Sequence, residues 1–179
     1  PPRSTPLYSS AASDVYKRQA QERWALDTEP SYINYDADHF LHAWSGTNNS
    51  IKGIITGNKK EFQKIAIAML VRDFDSKNSN RDNNALEILE VLKFPKIEFF
   101  SDEIEMNNNK LIIKGEMTFH GIGIKKLIEA DANFKNNKLI LSGTFEIILS
   151  DFSINRPSFM MKKMDDLIKI SYELHFTKL

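Results

Sequence analysis

Apolar and polar residues alternate one by one along several segments of the chain, and this two-residue period constrains the fold more than any other feature. In the segment 168–176, Ile, Ile, Tyr, Leu and Phe alternate with Lys, Ser, Glu and His. Successive side chains of a strand point to opposite faces, so such a segment predicts a strand with one buried face. The same reasoning predicts further strands over 31–35, 40–45, 51–56, 62–74, 96–101, 111–119, 126–134 and 139–149.

The turns between these segments are short and rich in asparagine. Asn107-Asn108-Asn109 and Asn136-Asn137 separate neighbouring strands and are typical of hairpins. We therefore predict an all-β protein with one short helix, built on an antiparallel sheet of about eight strands. A closed barrel and a two-sheet sandwich both fit this alternation.

One segment has a helical period instead. Leu86, Leu89 and Leu92 follow each other at intervals of three within 84–92. We predict a helix there, capped by Asp82 or Asn83 and stopped by Pro95.

The N-terminal segment differs from the rest of the chain. Residues 1–20 contain three of the six prolines, and the stretch 8–19 resembles translated sequencing-adapter sequence. We predict that 1–20 is a disordered, non-native leader and that 21–179 is the barrel domain.

Composition excludes several classes of function. The formal net charge is zero, and no basic stripe with interleaved aromatic residues is present, so a nucleic-acid partner is not expected. No apolar run has the length of a transmembrane helix. The absence of cysteine excludes disulfides, thiol catalysis and cysteine-based metal sites, and no cofactor is expected.

The predicted inward faces are strongly apolar. If they enclose a void, its lining suits an apolar ligand, because each buried CH₂ contributes roughly 0.8 kcal/mol. A filled core is the alternative. The residues predicted to line such a tunnel are Phe74, Phe99, Met117, Phe119, Phe134, Phe145, Ile147, Phe152, Tyr172 and Phe176.

A few polar side chains are candidates for the rim of the tunnel or for contact with a ligand head group. These are His42, Trp44, His120 and Arg156. His39 and His42 would face opposite sides of a strand, so no metal site is predicted from them. Strand parity places His120 outward, which argues against a hydrolase or isomerase built on it.

No recognisable catalytic motif is present, neither a serine on a glycine elbow nor a glycine-rich phosphate loop. The opposite charges of Arg81 and Asp82, and of Asp151 and Arg156, are interpreted as loop-fixing ion pairs. We therefore predict a non-enzymatic protein.

Five segments of the sequence occur in an order that is informative as a set. They are Phe74 to Asp82, Leu86 to Leu89, Phe94 to Phe99, Gly115 to Gly121 and Asp151 to Phe159. Together, and in this order, they resemble the YceI-like family, and His39-Phe40-Leu41-His42-Ala43-Trp44-Ser45-Gly46 resembles a subgroup of it. Two departures concern polar positions: Asn84 stands where a histidine is common, and Gly123-Ile124 stands near an expected threonine.

The resemblance implies an extended lipocalin-like antiparallel β-barrel. It also implies an exported bacterial protein, periplasmic or secreted, that binds a polyisoprenoid, quinone or fatty-acid-like lipid for transport or storage. The alternative is a structural or stress-related interaction protein with a filled core and no ligand. A homodimer is expected if the barrel gapes and leaves edge strands unpaired.

Overall fold

The computed structural model describes residues 22–39, 41–58 and 61–179 of the chain. The predicted leader, 1–20, and Phe40 of the predicted second strand lie outside the described residues. Within them, the main chain forms twelve strands, one α-helix and two 3₁₀ turns, Val71–Asp73 and Leu149–Phe152. The helix is α1 (Ser79–Ile88). The strands are β1 (Arg23–Leu26), β2 (Tyr32–His39), β3 (His42–Asn48), β4 (Lys52–Asn58), β5 (Glu61–Leu70), β6 (Lys96–Asn107), β7 (Lys110–Phe119), β8 (Ile122–Lys135), β9 (Lys138–Ile148), β10 (Ser158–Phe159), β11 (Lys162–Lys163) and β12 (Leu167–Lys178).

Eight of these strands close into an antiparallel barrel. Their order is β1, β4, β5, β6, β7, β8, β9 and β12, and β12 pairs back onto β1 to complete the ring. The predicted eight-stranded antiparallel barrel is thereby confirmed, and the two-sheet sandwich is not formed. The ring depends on β1, a strand of four residues that the sequence pattern did not predict.

The two ends of the barrel are built differently. β1 pairs with one edge of β12, with Leu26 opposite Phe176. Further along the same edge, β12 pairs with β2 instead, with Tyr32 opposite Glu173. β2 and β3 then form a hairpin whose far side meets the segment after β5 through an isolated bridge at Asp75. We call the end that contains β1 the closed end. The opposite end, where the β2–β3 hairpin inserts into the wall, is the open end.

The alternating residues of β12 face the barrel interior, as the sequence predicts. All five apolar residues of the segment 168–176 are buried, and so are the alternating residues Leu111, Ile113, Met117 and Phe119 of β7. Burying a side chain of this size contributes roughly 1.5–3 kcal/mol. The inner face of the barrel is therefore the main source of its stability.

An aromatic cluster fills the closed end. Trp24 of β1 lies edge-on to Phe62 and Phe134, with ring centroids 6.3 and 6.5 Å away, and the two phenylalanines stack at 6.1 Å. Trp24 has no exposed surface, and its indole N–H donates to the Gly57 carbonyl over 3.2 Å. These three rings and the closure by β1 seal this end of the barrel.

The helix begins and ends earlier than predicted. It spans Ser79–Ile88 instead of 84–92, and Asn78 caps it by accepting a hydrogen bond from the Arg81 N–H. Asp82, predicted as a cap, lies in the first helical turn and accepts from the Ser76 N–H instead. Glu90 has a left-handed backbone with φ of 46°, so the helix stops before Pro95 is reached.

Candidate functional site

A cavity of about 700 Å³ lies at the open end, beneath α1. Its walls come from the β2–β3 hairpin, α1, the 3₁₀ turn at Val71 and the segment between β9 and β12. α1 contributes asparagine and charged side chains along its first turns and Leu86 and Ile88 at its C-terminal end, and Leu89 follows directly after it. The helix has no fully buried residue, and it covers the cavity while only its partly buried Leu86 and Ile88 pack against the core.

A second cavity of about 100 Å³ lies deeper in the barrel, and its walls are almost entirely apolar. The two cavities share four lining residues, Phe74, Ile97, Ile147 and Ile170. These side chains form a constriction between a wide upper chamber and a narrow lower one. The combined shape is a pocket that tapers from the open end toward the closed end.

Seven of the ten residues predicted to line a tunnel lie on these walls. Phe74 and Ile147 border both cavities, and five others border the lower one: Phe99, Met117, Phe119, Phe145 and Tyr172. Their contact with a ligand remains a prediction. Strand parity placed six of them on the inner face, and their height along the barrel places them beside the void. Phe74 lies there for another reason, because the predicted strand 62–74 ends at Leu70 and Phe74 follows the 3₁₀ turn Val71–Asp73.

The other three predicted lining residues border neither cavity. Phe134 belongs to the aromatic cluster of the closed end. Phe152 is fully buried against Phe119, with ring centroids 5.4 Å apart, and Phe176 is fully buried where β12 meets β1. Parity reports which face a side chain takes and not its depth in the barrel, so it could not separate Phe134 and Phe176 from the lining. Phe152, assigned through the family resemblance, lies in the 3₁₀ turn after β9, where parity does not apply.

His42 and Trp44, both predicted at the rim, line the upper cavity. Their rings lie 5.6 Å apart on β3, and the Arg81 guanidinium of α1 sits 5.4 Å from the Trp44 ring centroid. A cation over an indole face is an attractive contact. Arg81 thus connects α1 to the hairpin. The ion pair between Arg81 and Asp82 that the sequence suggested is not formed.

His120 is the clearest correction among the polar candidates. It was predicted to face outward, yet only 8% of its surface is exposed. Its Nδ1 lies 2.9 Å from the Phe152 carbonyl oxygen and its Nε2 lies 3.0 Å from a carboxylate oxygen of Glu90. β7 ends at Phe119 and His120 adopts φ of 50°, so the alternation of the strand does not extend to it. His120 fastens the β7–β8 turn to the segment after α1 and borders neither cavity.

Arg156 also borders neither cavity. Its Nη1 donates to the Met164 carbonyl over 2.9 Å, and its Nε lies 3.4 Å from the Asp166 carboxylate. The predicted ion pair with Asp151 is therefore wrong, and the partner is Asp166. A hydrogen bond from the Ser150 hydroxyl is the main reason that the pKa of Asp166 lies below its usual value. This network holds the loop between β9 and β12 in place.

A polar group that the sequence reasoning missed lies at the rim, around Tyr35. Burial raises the pKa of Tyr35, and the Asp82 carboxylate adds to the rise. Gly46, paired with Tyr35 across the hairpin, leaves room for the ring, because a Cβ there would lie 2.4 Å from Tyr35 Cε1. A glycine inside a predicted strand was the one sequence signal of this close approach.

Ser76 lies in the same group. Its N–H donates to both carboxylate oxygens of Asp82, at 3.2 and 3.3 Å. Its Oγ is buried and has no close hydrogen-bond partner within the described part of the chain, although it lies near enough to the Tyr35 hydroxyl to moderate the rise in the pKa of that group. Ser76 borders neither cavity, so its hydroxyl bears on the site through Tyr35.

The tyrosine hydroxyl that borders the lower cavity already has a hydrogen-bond partner. The Tyr172 hydroxyl donates to the Glu129 carbonyl over 3.2 Å, and burial raises the pKa of this group strongly. It therefore stays neutral at ordinary pH. Polar groups gather at the rim and the interior is apolar, which is the arrangement that binds an amphiphile with its head at the mouth.

Two other kinds of site were searched for over residues 22–39, 41–58 and 61–179. No group of three histidine or acidic residues in these ranges is arranged to hold a metal ion. None of their helices has the length and apolarity needed to cross a membrane.

Comparison with known proteins places the chain among relatives. The sequence profile of one family, described as the YceI-like domain, matches residues 24–176. Protein YceI of Salmonella newport is 26% identical over 105 residues, which cover 56% of this chain and 55% of that protein. The chain thus spans about half the length of this curated relative.

Two solved structures share the fold. BcnA of Burkholderia cenocepacia superposes with a TM-score of 0.77 at 14% identity, over 84% of this chain and 98% of that one. A polyisoprenoid binding domain from Saccharophagus degradans, implicated in plant cell wall breakdown, gives 0.70 at 7% identity, over 87% and 98%. At these identities the likeness concerns the fold alone.

Proposed function

The chain belongs to the YceI-like domain family, and from this premise we propose that it binds a polyisoprenoid or similar amphiphilic lipid, without catalysis, for transport or storage. The observation that carries the proposal is the tapered apolar pocket that runs from the open end into the barrel. A fold relative described as a polyisoprenoid binding domain supports the same class of ligand.

The size of the pocket suits a chain-like ligand. The upper chamber of about 700 Å³ falls within the range of roughly 300–1,000 Å³ usual for small-molecule sites. A hydrocarbon tail gains roughly 0.8 kcal/mol for each CH₂ it buries, so it needs no charged contact to bind. The constriction at Phe74, Ile97 and Ile147 would admit a slender tail and hold a bulkier group above it.

The rim supplies contacts for a polar head group. The Tyr35 hydroxyl can form a hydrogen bond there, and Arg81 of α1 and His42 of the hairpin line the same cavity. A phenol, quinone or hydroxyl head group matches these partners. We propose that the head sits between the hairpin and α1 while the tail descends into the barrel.

A reaction on the lipid has little support in this arrangement. His120, the residue on which a hydrolase or isomerase would depend, is engaged by Glu90 and the Phe152 carbonyl. We propose a binding protein and, as the family resemblance implies, a periplasmic or secreted one. Fractionation of cells that express the intact gene tests the location.

The binding proposal is tested by native mass spectrometry of the purified protein and by titration with prenols and quinones. We expect a co-purifying lipid or saturable binding of the added one. Phe145→Trp adds bulk to the lower chamber and should lower the affinity at least tenfold. Leu127→Trp, on the exposed outer face of β8, is the matched control and should leave it unchanged.

The contrary result is equally clear. A protein that is free of lipid and ignores prenols and quinones would favour the alternative, an interaction protein with no ligand. In that case Phe145→Trp and Leu127→Trp would be indistinguishable in every binding measurement.

A further inference from the structure

Large apolar side chains project into solvent from two hairpin tips at the open end. Leu41, in the β2–β3 turn, is 51% exposed. Met160 and Met161, in the β10–β11 turn, are 69% and 100% exposed. We call these three residues, together with Lys162 and Lys163, the tip patch.

The two tips are held side by side. The His39 Nε2 lies 3.2 Å from the Lys162 carbonyl oxygen, and the Asp165 N–H donates to the Asp38 carbonyl over 3.0 Å. The patch also adjoins the mouth of the pocket, because His39 and His42 of one hairpin and Ser158 at the base of the other line the upper cavity. The tip patch is therefore a single surface beside the entrance.

The two methionines of the β10–β11 turn adopt a backbone conformation that side chains such as theirs disfavour. Met160 and Met161 have φ of 49° and 65°, a pair of conformations that strongly favours Asn-Gly. Elsewhere this chain follows that preference, with Asn108 at 56° and Asn136 at 57° in the turns of the closed end. Two exposed methionines thus replace residues that would suit both the turn and water better.

The charges around the patch suit an anionic surface. Lys162 and Lys163 follow the methionines directly and are both exposed. Asp38 lies one residue pair from the tip of the β2–β3 hairpin, and Asp165 lies two residues beyond Lys163, so both carboxylates border the patch, whereas Asp166 is paired with Arg156. Apolar tips with flanking lysines are the features of proteins that insert shallowly into a bilayer interface.

We propose that the tip patch docks onto the surface of a bilayer containing anionic lipids, with Leu41, Met160 and Met161 inserted among the head groups. Docking would place the mouth of the pocket against the membrane. The docking itself needs no lipid in the barrel. Its use for loading or delivering a lipid rests on the function proposed above.

The test is flotation of the full chain with phosphatidylcholine vesicles, with and without phosphatidylglycerol. We expect stronger binding to the anionic vesicles. The double variant Met160→Asn, Met161→Gly should lose at least tenfold in partitioning while its melting temperature is kept or raised, because Asn-Gly suits the turn. Lost binding could then not be attributed to unfolding.

Charge reversal provides a second arm. The pair Lys162→Glu, Lys163→Glu should weaken binding to anionic vesicles by more than about fivefold for each lysine removed, and should matter less on phosphatidylcholine alone. The matched control is Lys135→Glu, Lys138→Glu at the closed end, where both side chains are exposed. Leu127→Ser is the control for loss of an exposed apolar residue. Both controls should bind as the unmodified protein does.

Three results would overturn docking. One is equal flotation of the unmodified protein and the Asn-Gly variant. Another is an unmodified protein that takes up a prenol in solution yet ignores anionic vesicles. The third is a dimer, seen by light scattering, that the Asn-Gly variant abolishes, since the patch would then be a contact between two copies. Vesicle binding without prenol uptake would instead refute the pocket and leave the docking surface standing.

Discussion

The two ends of the barrel contain the same kinds of residue, but one end is closely packed and the other surrounds a cavity. At the closed end, Trp24 is fully buried among phenylalanine rings, and the turns contain asparagine where the backbone is left-handed. At the open end, Trp44 is only partly buried beside a cavity, and a comparable turn contains Met160 and Met161. The comparison indicates that one end is closely packed and stabilises the fold, whereas the other is hollow and is the end at which we propose binding.

The two tryptophans of the chain give the largest test of this difference. Trp24→Ala should lower the free energy of unfolding by about 3–5 kcal/mol, because it empties a closely packed site and leaves the Gly57 carbonyl without its donor. Trp44→Ala should cost clearly less, since its ring already borders empty space. Urea denaturation measures both. Equal losses would refute the division into a stabilising and a binding end.

Stability at alkaline pH should depend on two tyrosines to different degrees, one in the barrel interior and one at the rim. Burial, and secondarily the Asp131 carboxylate, raises the pKa of Tyr172 above that of an unfolded chain, about 10. Its neutral form contributes stability that is complete below pH 10 and is lost as pH rises through the folded-state pKa. We expect a decline of about 1.4 kcal/mol per pH unit above 10.

Denaturation at successive pH values measures this slope. Tyr172→Phe should remove most of it, and Tyr35→Phe should remove less, because Tyr35 lies at the partly exposed rim. If the Tyr35 variant flattened the profile more, the rim would be the better buried region of the two.

Two asparagine substitutions, each expected to change stability by about 1 kcal/mol, test the comparison further. Asn78→Ala removes the cap of α1 and should destabilise the helix by about 0.5–2 kcal/mol. Since α1 has no fully buried residue, we expect faster hydrogen exchange over 79–88 and faster lipid release, with little change in global stability. Asn108→Ala, in the left-handed position of a closed-end turn, should lower global stability and leave lipid release unchanged. The reverse pattern would contradict the view that α1 is a loosely held cover of the upper cavity.

The smallest expected effect on stability concerns Ser76. Its hydroxyl is buried near the Tyr35 hydroxyl without a close hydrogen bond, so Ser76→Ala should change the free energy of unfolding by less than about 0.5 kcal/mol. Affinity for a lipid with a polar head should nevertheless fall modestly, because Tyr35 lines the upper cavity. Ser31→Ala is the contrasting control, because the Ser31 hydroxyl donates to Asp27 and accepts from His175. A large loss of stability in Ser76→Ala would mean that the hydroxyl serves the fold and not a ligand.

Strand identity was readable from the sequence, and strand ends less so. The alternation over 168–176 and 111–119 identified β12 and β7, because the side-chain period of a strand is a local property. The helix was displaced by five residues at its start, since Asn78 caps it while the leucine spacing pointed further along. β1 was missed because four residues show too little alternation to recognise, although they close the ring.

The candidate site was only partly readable. Parity placed Phe99 and Phe145 on the inner face, but it left open whether that face encloses a cavity or a filled core. Parity could not show that Phe134 and Phe176 fill the closed end, or that His120 turns inward after β7 ends. The group around Tyr35 and Ser76 was not anticipated, because these two residues come from segments far apart in the chain.

By itself, the sequence determined the strands, their turns and the apolar character of the inner face, since each depends on neighbours a few residues apart. Only the tertiary structure decided where the barrel is solid and where it is hollow. Whether a void forms depends on the size of the side chains that distant strands bring to the same level along the barrel axis. The order of residues in the chain does not show which side chains share a level. The same holds for the tip patch, whose two hairpins are about 120 residues apart in sequence and are joined at His39 and Lys162.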